Sequence, residues 1–426
     1  MTNANNLGFL PGNDAGSNTI ALQRAIDLGG EIVVSAKGIY DMTGTVFIGD
    51  NTTLIFEKGV HIRRQKPNDG TASQLFMNKG CNTGVYNKNI TIIGLHIDCN
   101  GIESGDWGEN SRIVGLRAQV GMIYVEDLIV RDFECIGLLE KDYAIQISAF
   151  KNILLEDIYC DGNKDGVHLG WGRGFTIRRG KFRTYDDPIA LNAFDYSTSN
   201  THVGWIEDGL IEDCYDLSAP STVGFFCRIL GGCWTDWRSG MEIQHSDTVC
   251  HNGNVYRAVL LPNGKRYTSV TPPTHIGIGA TATYDGICWV CVREEAVYDC
   301  GCRNITIRNV HLQKERRAAV AFSLNNDEYA RSYVKGAFPT PHKDIHFDNI
   351  VVENNVKYFL YSDYPSENIS FKNIELNDAL IYFKDHKLDG LIYPPVDITL
   401  TDVKNAENNL KADDDHKILV TYPDSI

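Results

Sequence analysis

A degenerate repeat of the form Asn-Ile-x-apolar-x-(Asp/Asn/Gly)-apolar runs through most of this chain and restricts what it can fold into. It reads NITIIGLHIDCNG at 89–101, VEDLIVRDFEC at 125–135, KNILLEDIYCDG at 151–162 and GWIEDGLIEDC at 204–214. It returns as RNITIRNVHL at 303–312, KDIHFDNIVVEN at 343–354, ENISFKNIELND at 367–378 and VDITLTDVKN at 396–405. Most copies are ~22–40 residues apart, the interval of solenoid repeats. Two short strands joined at an Asp, Asn or Gly corner, once per turn, predict an all-β parallel β-helix. The corner residue types tolerate the left-handed backbone that a tight bend demands.

The ends of the repeat fit that reading. Residues 13–28, NDAGSNTIALQRAIDL, predict a helix capped by Asn18 or Ser17, with Ile20, Ala21, Ala25 and Leu28 as its apolar stripe. Gly29 and Gly30 stop it. Strand-like segments with Gly, Asp and Asn corners follow directly, so this helix would cap the open end of the stack and block edge pairing. After about residue 405 the chain turns polar and acidic before a last apolar strand.

One interval breaks the rhythm. Between Ile206 and Ile305 only Gly224–Leu230 reads as a solenoid strand. Residues 237–298 are therefore expected to form an inserted small β-module, with 1–236 and 299–426 making one β-helix unit. Its core, NGNVYRAVLLPNGKRYTSVTPPTHIGIGATATYDGICWVCVRE, resembles a small β-module of phage tail proteins in its TPPTH and DG-x-x-W marks.

Composition narrows the class of partner. Of 426 residues, 43% are hydrophobic and 22% charged, as in globular proteins. The formal net charge of −15 argues against a nucleic-acid partner, which would need clustered Lys and Arg. No apolar run approaches the ~18 residues of a membrane span, so no membrane partner is expected. The first residues lack a basic stretch followed by an apolar one. No signal peptide is expected there, which leaves the compartment open between the cytoplasm and a secreted protein whose leader has been removed. Twelve cysteines in a chain of this size read mainly as reduced core residues, several of them (Cys99, Cys135, Cys160, Cys214) ending strand-like segments.

The chemistry concentrates between Asn163 and Asn192, NKDGVHLGWGRGFTIRRGKFRTYDDPIALN. Gly166–Leu169, Gly174–Ile177 and Pro188–Leu191 read as strands. Val167 and Leu169 repeat as Ile189 and Leu191 at an offset of 22, and Asp165 repeats as Asp187 at the same offset. Equivalent positions one turn apart lie on neighbouring parallel strands, about 4.8 Å from each other. Asp165, Asp186 and Asp187 should therefore meet. Crowded carboxylates cannot all ionise cheaply, so one is expected to keep a proton while another stays a base. A lone Asp-Gly would read as a solvated corner; two motifs one turn apart favour a site.

Strict alternation points Asp165 and Asp187 toward the core, so Gly166 and Pro188 would have to break the alternation to turn them outward. His168, Ala190 and Asn192 share the outward parity of Asp186.

These motifs resemble those of the polygalacturonase-like glycoside hydrolases of family 28. Asn163-Lys164-Asp165-Gly166 is similar to the family's NTDG, and Asp186-Asp187 to its DD. The opening NTIALQRAID…GGEIVV…KGIY also resembles the family, and the likeness extends over residues 7–232. It implies a right-handed parallel β-helix of the pectin-lyase-like kind and inverting hydrolysis of a pectin-like or other acidic glycan. Asp186 would be the acid, while Asp165 and Asp187 activate water. Their carboxyl groups should span the roughly 6.5–9.5 Å of an inverting pair. Asn163, His168, Asn192 and Arg228 would bind substrate in the same groove.

Two family elements are altered. No Gly-His-Gly follows the DD; its nearest counterpart is Gly224-Phe225-Phe226. The Arg-Ile-Lys that grips uronate survives only as Arg228-Ile229-Leu230. Galacturonate is thereby placed in more doubt than hydrolysis.

Other features carry blander readings. Cys288-x-x-Cys291, Cys300-x-Cys302 and Cys250-His251 offer zinc ligands without a second CxxC, and CWVCV read as a strand sets Trp289 opposite both of its cysteines. Buried thiols or a local disulfide are the expectation there, with no metal and no cofactor. Arg316-Arg317, just before the strand AAVAFSL, could face the cleft but reads first as a solvated corner. Trp171, Trp205, Trp234 and Trp237 are candidate sugar platforms or packing residues. Gly172–Gly174 is no phosphate loop, since no helix follows.

The expected activity is that of a glycosidase acting on a carbohydrate. A phage tailspike-like glycan-binding or depolymerising protein is the second reading, carried by the module and fold. A polysaccharide lyase is the third, for which the core motif offers neither Ca²⁺ ligands nor a Lys or Arg base. The oligomeric state is left open.

Overall fold

The repeat acquires its meaning from backbone sterics. In a computed structural model describing residues 1–66, 74–102, 113–354 and 356–423, two bends five residues apart recur in each copy from residue 89 to residue 378, while the last copy keeps the second alone, at Asp402. The first bend falls at Asn89, Asp127, Asn152, Gly174, Asp208, Asn304, Asp344 and Asn368, all in the left-handed region. The second falls at Gly94, Asp132, Asp157, Arg179, Asp213, Asn309, Asn349 and Asn373, again left-handed. Asn and Asp enter that region at low cost, so they punctuate the chain. Between the bends the two apolar positions point inward, as with Ile90 and Ile92, or Ile153 and Leu155, all buried.

The protein is mostly β, and the strands of its large sheet pair in parallel. One column of Cα partners runs Ile90, Leu128, Ile153, Phe175, Gly209, Ile305, Ile345, Ile369 and Ile398. A second runs Val120, Ile145, Val167, Ile189, Cys227, Val320, Leu360, Ile381 and Leu410. Each strand thus lies beside the one a turn later, and the chain winds as a coil around a continuous apolar interior. The last apolar segment, Ile418–Thr421, still pairs with Val396–Lys404 in parallel.

The ladder does not stop at the break in the sequence pattern. Gly209 pairs directly with Ile305, and Arg228 with Ala321. The intervening chain builds antiparallel sheets instead. Met241–Ile243 pairs with Tyr267–Ser269, and Thr248–His251, Asn254–Val259, Ile287–Arg293 and Thr281–Tyr284 form a four-stranded sheet. Ile243, Val249, Tyr256, Trp289 and Cys291 form its own small core. Gly232–Cys233 and Asp299–Cys300 pair antiparallel where the chain leaves and rejoins the coil.

Several local expectations need correcting. The first helix spans Ala15–Asp27 and is capped by Asp14, whose side chain accepts from the Ser17 N–H. Its buried face is Ala21, Leu22, Ala25 and Ile26, while Ile20 and Leu28 are exposed. Trp289 does not oppose both cysteines. It shares the module core with Cys291, and Cys288 packs toward the coil, because positions three apart on a strand face opposite ways. All twelve cysteines are free thiols. Among the described residues no helix is long and apolar enough to cross a membrane.

Candidate functional site

The strands flanking the acids begin one step later than their sequence pattern, at Val167–Leu169 and Ile189–Asn192. Asp165 and Asp187 therefore precede the strands, at the corner, and alternation does not force them into the core. Their backbones still stack, the Gly166 N–H donating to the Asp187 carbonyl at 3.0 Å. Gly166 fits because a Cβ there would stand 2.7 Å from both Phe182 and the Pro188 carbonyl oxygen.

The three acids meet. One carboxylate oxygen from each of Asp165, Asp186 and Asp187 lies within 4.8 Å of the other two. That is tighter than the spread expected for an inverting pair, because one step between rungs and one peptide bond separate them. Asp165 and Asp187 are buried, and the Asp186 side chain is 20% exposed.

Each acid has different company. Lys164 donates to Asp186, and its Nζ lies 3.9 Å from Asp165. Asp165 also contacts His168 Nδ1 at 3.0 Å. Asp187 accepts the Phe225 N–H at 2.7 Å, and Arg228 Nη1 lies 3.8 Å from its other oxygen. Burial, then repulsion from Asp186 and Asp165, pushes the Asp187 carboxyl well above the ordinary carboxylate value. Burial also acts to raise Asp186, but the Lys164 ammonium, helped by Arg228 and Arg316, holds it below that value. Of the two neighbours, Asp187 is thus biased toward the protonated form and Asp186 toward the charged one.

The linkage has a measurable consequence. Folded Asp187 binds its proton more tightly than an unfolded Asp with its value of 3.8. Its contribution is therefore full below pH 3.8 and is lost as pH rises through the folded value. Asp187→Asn removes the titration while keeping an oxygen for the Phe225 N–H. The variant should unfold at higher denaturant than the parent at neutral pH, with the gap closing toward pH 3.8. Equal midpoints at neutral pH would contradict the raised value.

Cations from a later turn complete the corner. Lys314 donates to the carbonyls of Thr184, Tyr185 and Val223 at 2.8–3.1 Å, and burial followed by repulsion from Arg316 pulls it down to about 7. Arg316 is not a solvated corner. It is buried, pairs through two nitrogens with buried Asp216, and donates to the carbonyls of Asp186 and Val223. Arg317 is exposed, over the Tyr361 ring. The lyase reading assumed no Lys or Arg near the acids, and Lys164, Arg228 and Arg316 now stand there.

The expected substrate-binding residues separate. Asn163 is half-buried at the corner, and Arg228 is 19% exposed and close to Asp187. His168 and Asn192 line no open groove, since both are completely buried. The chain after Asn192 folds back over their face. Asn200 donates to the Asn192 carbonyl, Gln146 to Ser199, and Asn192 itself to Asp195. His168 stacks on Tyr143, ring centres 4.3 Å apart. Trp234 is packing, also buried; Trp171 and Trp205 lie under Arg293 and Arg303, and Trp237 donates to Ser269.

Gly224 makes the corner possible. It has φ +78°, and a Cβ there would lie 2.8 Å from the Asp186 Cα and 2.6 Å from its carbonyl carbon. Gly224→Ala should cost about 1–2 kcal/mol for the left-handed backbone alone and displace Asp186. Loss of activity exceeding the loss of folded protein, measured on the same sample, is the expected outcome.

Beside Arg228 an open cavity of about 740 Å³ is walled by Tyr196 and Tyr329 from the coil and by His245 and residues 260–263 from the antiparallel segment. Tyr196 is within hydrogen-bonding reach of Arg228.

Sequence reasoning gave no role to Lys164, Lys314, Asp195 and Asp216, and read Arg316 as solvated. Lys164 stood inside the motif. Lys314 and Arg316 meet the acids only across some 130 residues of chain, with no local signal.

No family profile matches this chain, and no curated protein matches it in sequence. Solved structures do. A family 28 exopolygalacturonase of Yersinia enterocolitica is 12% identical over 98% of this chain and 77% of that one, with a TM-score of 0.50. The pre-mature bacteriophage phi29 gene product 12 is 11% identical over 98% of this chain and 51% of that one, TM-score 0.49. An endo-xylogalacturonan hydrolase from Aspergillus tubingensis is 11% identical over 98% and 99%, TM-score 0.46. At such identities the first likeness speaks for a shared fold alone.

Proposed function

We propose that this protein is a glycoside hydrolase built on a right-handed parallel β-helix, with residues 237–298 as an inserted module that walls the substrate cleft. The observation that carries the reading is the cluster of three acids, of which Asp186 alone reaches solvent; burial biases Asp187 toward its proton, and Lys164 biases Asp186 toward its charge. Hydrolysis of a glycosidic bond needs one carboxyl to protonate the leaving oxygen and one carboxylate to act on the opposite side. Neighbouring acids of unequal charge supply both from one pair, and their titrations belong to the pair. Asp186 is the acid that reaches solvent, and Lys164 favours its ionised form until substrate displaces the ammonium. Arg228 spans from Asp187 to Tyr196 and would bind a polar substituent of the sugar.

The substrate is a polysaccharide or oligosaccharide, pectin-like or another acidic glycan, and the stereochemical course is inversion. The acids approach within 4.8 Å, nearer the ~5–5.5 Å of retaining pairs than the spread of inverting ones, so the anomer first released decides the course. The test is incubation of the purified chain with a panel of plant and bacterial polysaccharides, with products read by mass and early anomers by NMR. Hydrated products of inverted configuration are expected. Unsaturated products would mark a lyase instead, a reading favoured by the cations around the acids. Tight glycan binding without products would mark a tailspike-like binding protein.

A further inference from the structure

We propose that His61, His96 and Glu134 form a binding site for a divalent transition cation of the Zn²⁺ type, on a face of the coil separate from the acids. The three are brought together by register alone. Ile62 pairs with Ile97, which sets His61 beside His96, and His96 pairs with Glu134. They therefore occupy three consecutive rungs, and the outer two backbones are two steps, roughly 9.6 Å, apart. Even so, one donor atom from each side chain lies within 4.8 Å of the other two. The side chains lean together, where three neighbours on a solvated face would be free to splay apart.

The donor set selects the ion. Two imidazoles and a carboxylate suit Zn²⁺ and its first-row neighbours, whereas Ca²⁺ and Mg²⁺ take oxygen ligands. Bonds of about 2.0–2.2 Å in a tetrahedral site place ligand atoms about 3.4 Å apart, so rotamer adjustment suffices to close it. A fourth oxygen is at hand: Asp132 Oδ1 lies 3.4 Å from His96 Nε2. His61 is exposed and the other two are half-buried, which leaves an ion free to enter.

Such an ion would clasp three turns of the coil. Its ligands are 35 and 38 residues apart in the chain (96 − 61 and 134 − 96), so the unfolded chain offers no ready site and binding favours the native state.

The test is calorimetric titration of the whole chain with ZnCl₂, with CaCl₂ as the control, alongside thermal unfolding with and without zinc. One saturable zinc site of micromolar or tighter affinity is expected, with a raised unfolding midpoint and no such response to calcium. His61→Ala should abolish both responses, which also separates this site from the cysteines and from the Asp165 cluster. Glu134→Gln should weaken binding at least 10-fold. No saturable binding, binding unchanged in His61→Ala, or wild-type affinity in Glu134→Gln would each overturn the three-ligand site.

Discussion

Asp186→Asn is expected to lower the rate of polysaccharide cleavage by at least ~10²-fold, the usual scale for losing an acid or base group. Of the three clustered acids it alone is partly open to solvent, and its charge is the one Lys164 maintains. Asparagine keeps the shape and removes the charge. The fold should survive, because Lys164 retains Asp165 at 3.9 Å as a counter-charge. A second variant separates the two roles. Asp187→Asn removes the proton donor, so it should fail on natural glycosides yet retain much of its activity on aryl glycosides, whose leaving groups need no protonation. Asp186→Asn should fail on both. Wild-type cleavage by Asp186→Asn would remove this cluster from the mechanism. The opposite pattern between the two variants would restore Asp186 as the acid.

Why these acids meet was legible in the sequence, because the 22-residue offset between Asp165 and Asp187 fixes them on adjacent rungs wherever the pattern of Val167 and Ile189 is kept. The register Val167 with Ile189 is the one found. The corner residues were legible for the same reason: a bend that needs a left-handed residue leaves Asn and Asp behind in the sequence. What alternation could not convey is what lies over an outward face. His168 and Asn192 have the outward parity, and the fold-back of residues 193–204 buries them through contacts such as Gln146 with Ser199. The charges also resisted reading. Lys164 against Asp186 favours the charged form of that acid, and a lysine's reach is a matter of side-chain direction that spacing does not encode. Local polarity misled at Arg316, where KERR reads as a solvated bend.

Arg316→Ala should destabilise the native state by about 3–5 kcal/mol, the range for removing one partner of a buried ion pair. The guanidinium meets Asp216 through Nε at 2.7 Å and Nη2 at 2.9 Å, and both side chains are about 1% exposed. Alanine would leave the Asp216 carboxylate buried, with its two guanidinium partners gone. Chemical denaturation at neutral pH measures the loss. A double variant, Arg316→Met with Asp216→Leu, removes both charges, and well-packed apolar replacements of buried pairs are often neutral. It should recover most of the stability. Activity should not follow, because Arg316 Nη1 also donates to the Asp186 carbonyl at 3.2 Å and to that of Val223 at 2.7 Å. Lys314 still holds the Val223 carbonyl and the Thr184 hydroxyl still donates to that of Asp186 at 3.0 Å, so what is lost is the direct link Arg316 makes between the two. A stable, inactive double variant would assign Arg316 to positioning the catalytic corner as well as to holding the coil together. Full recovery of both properties would reduce it to a structural ion pair.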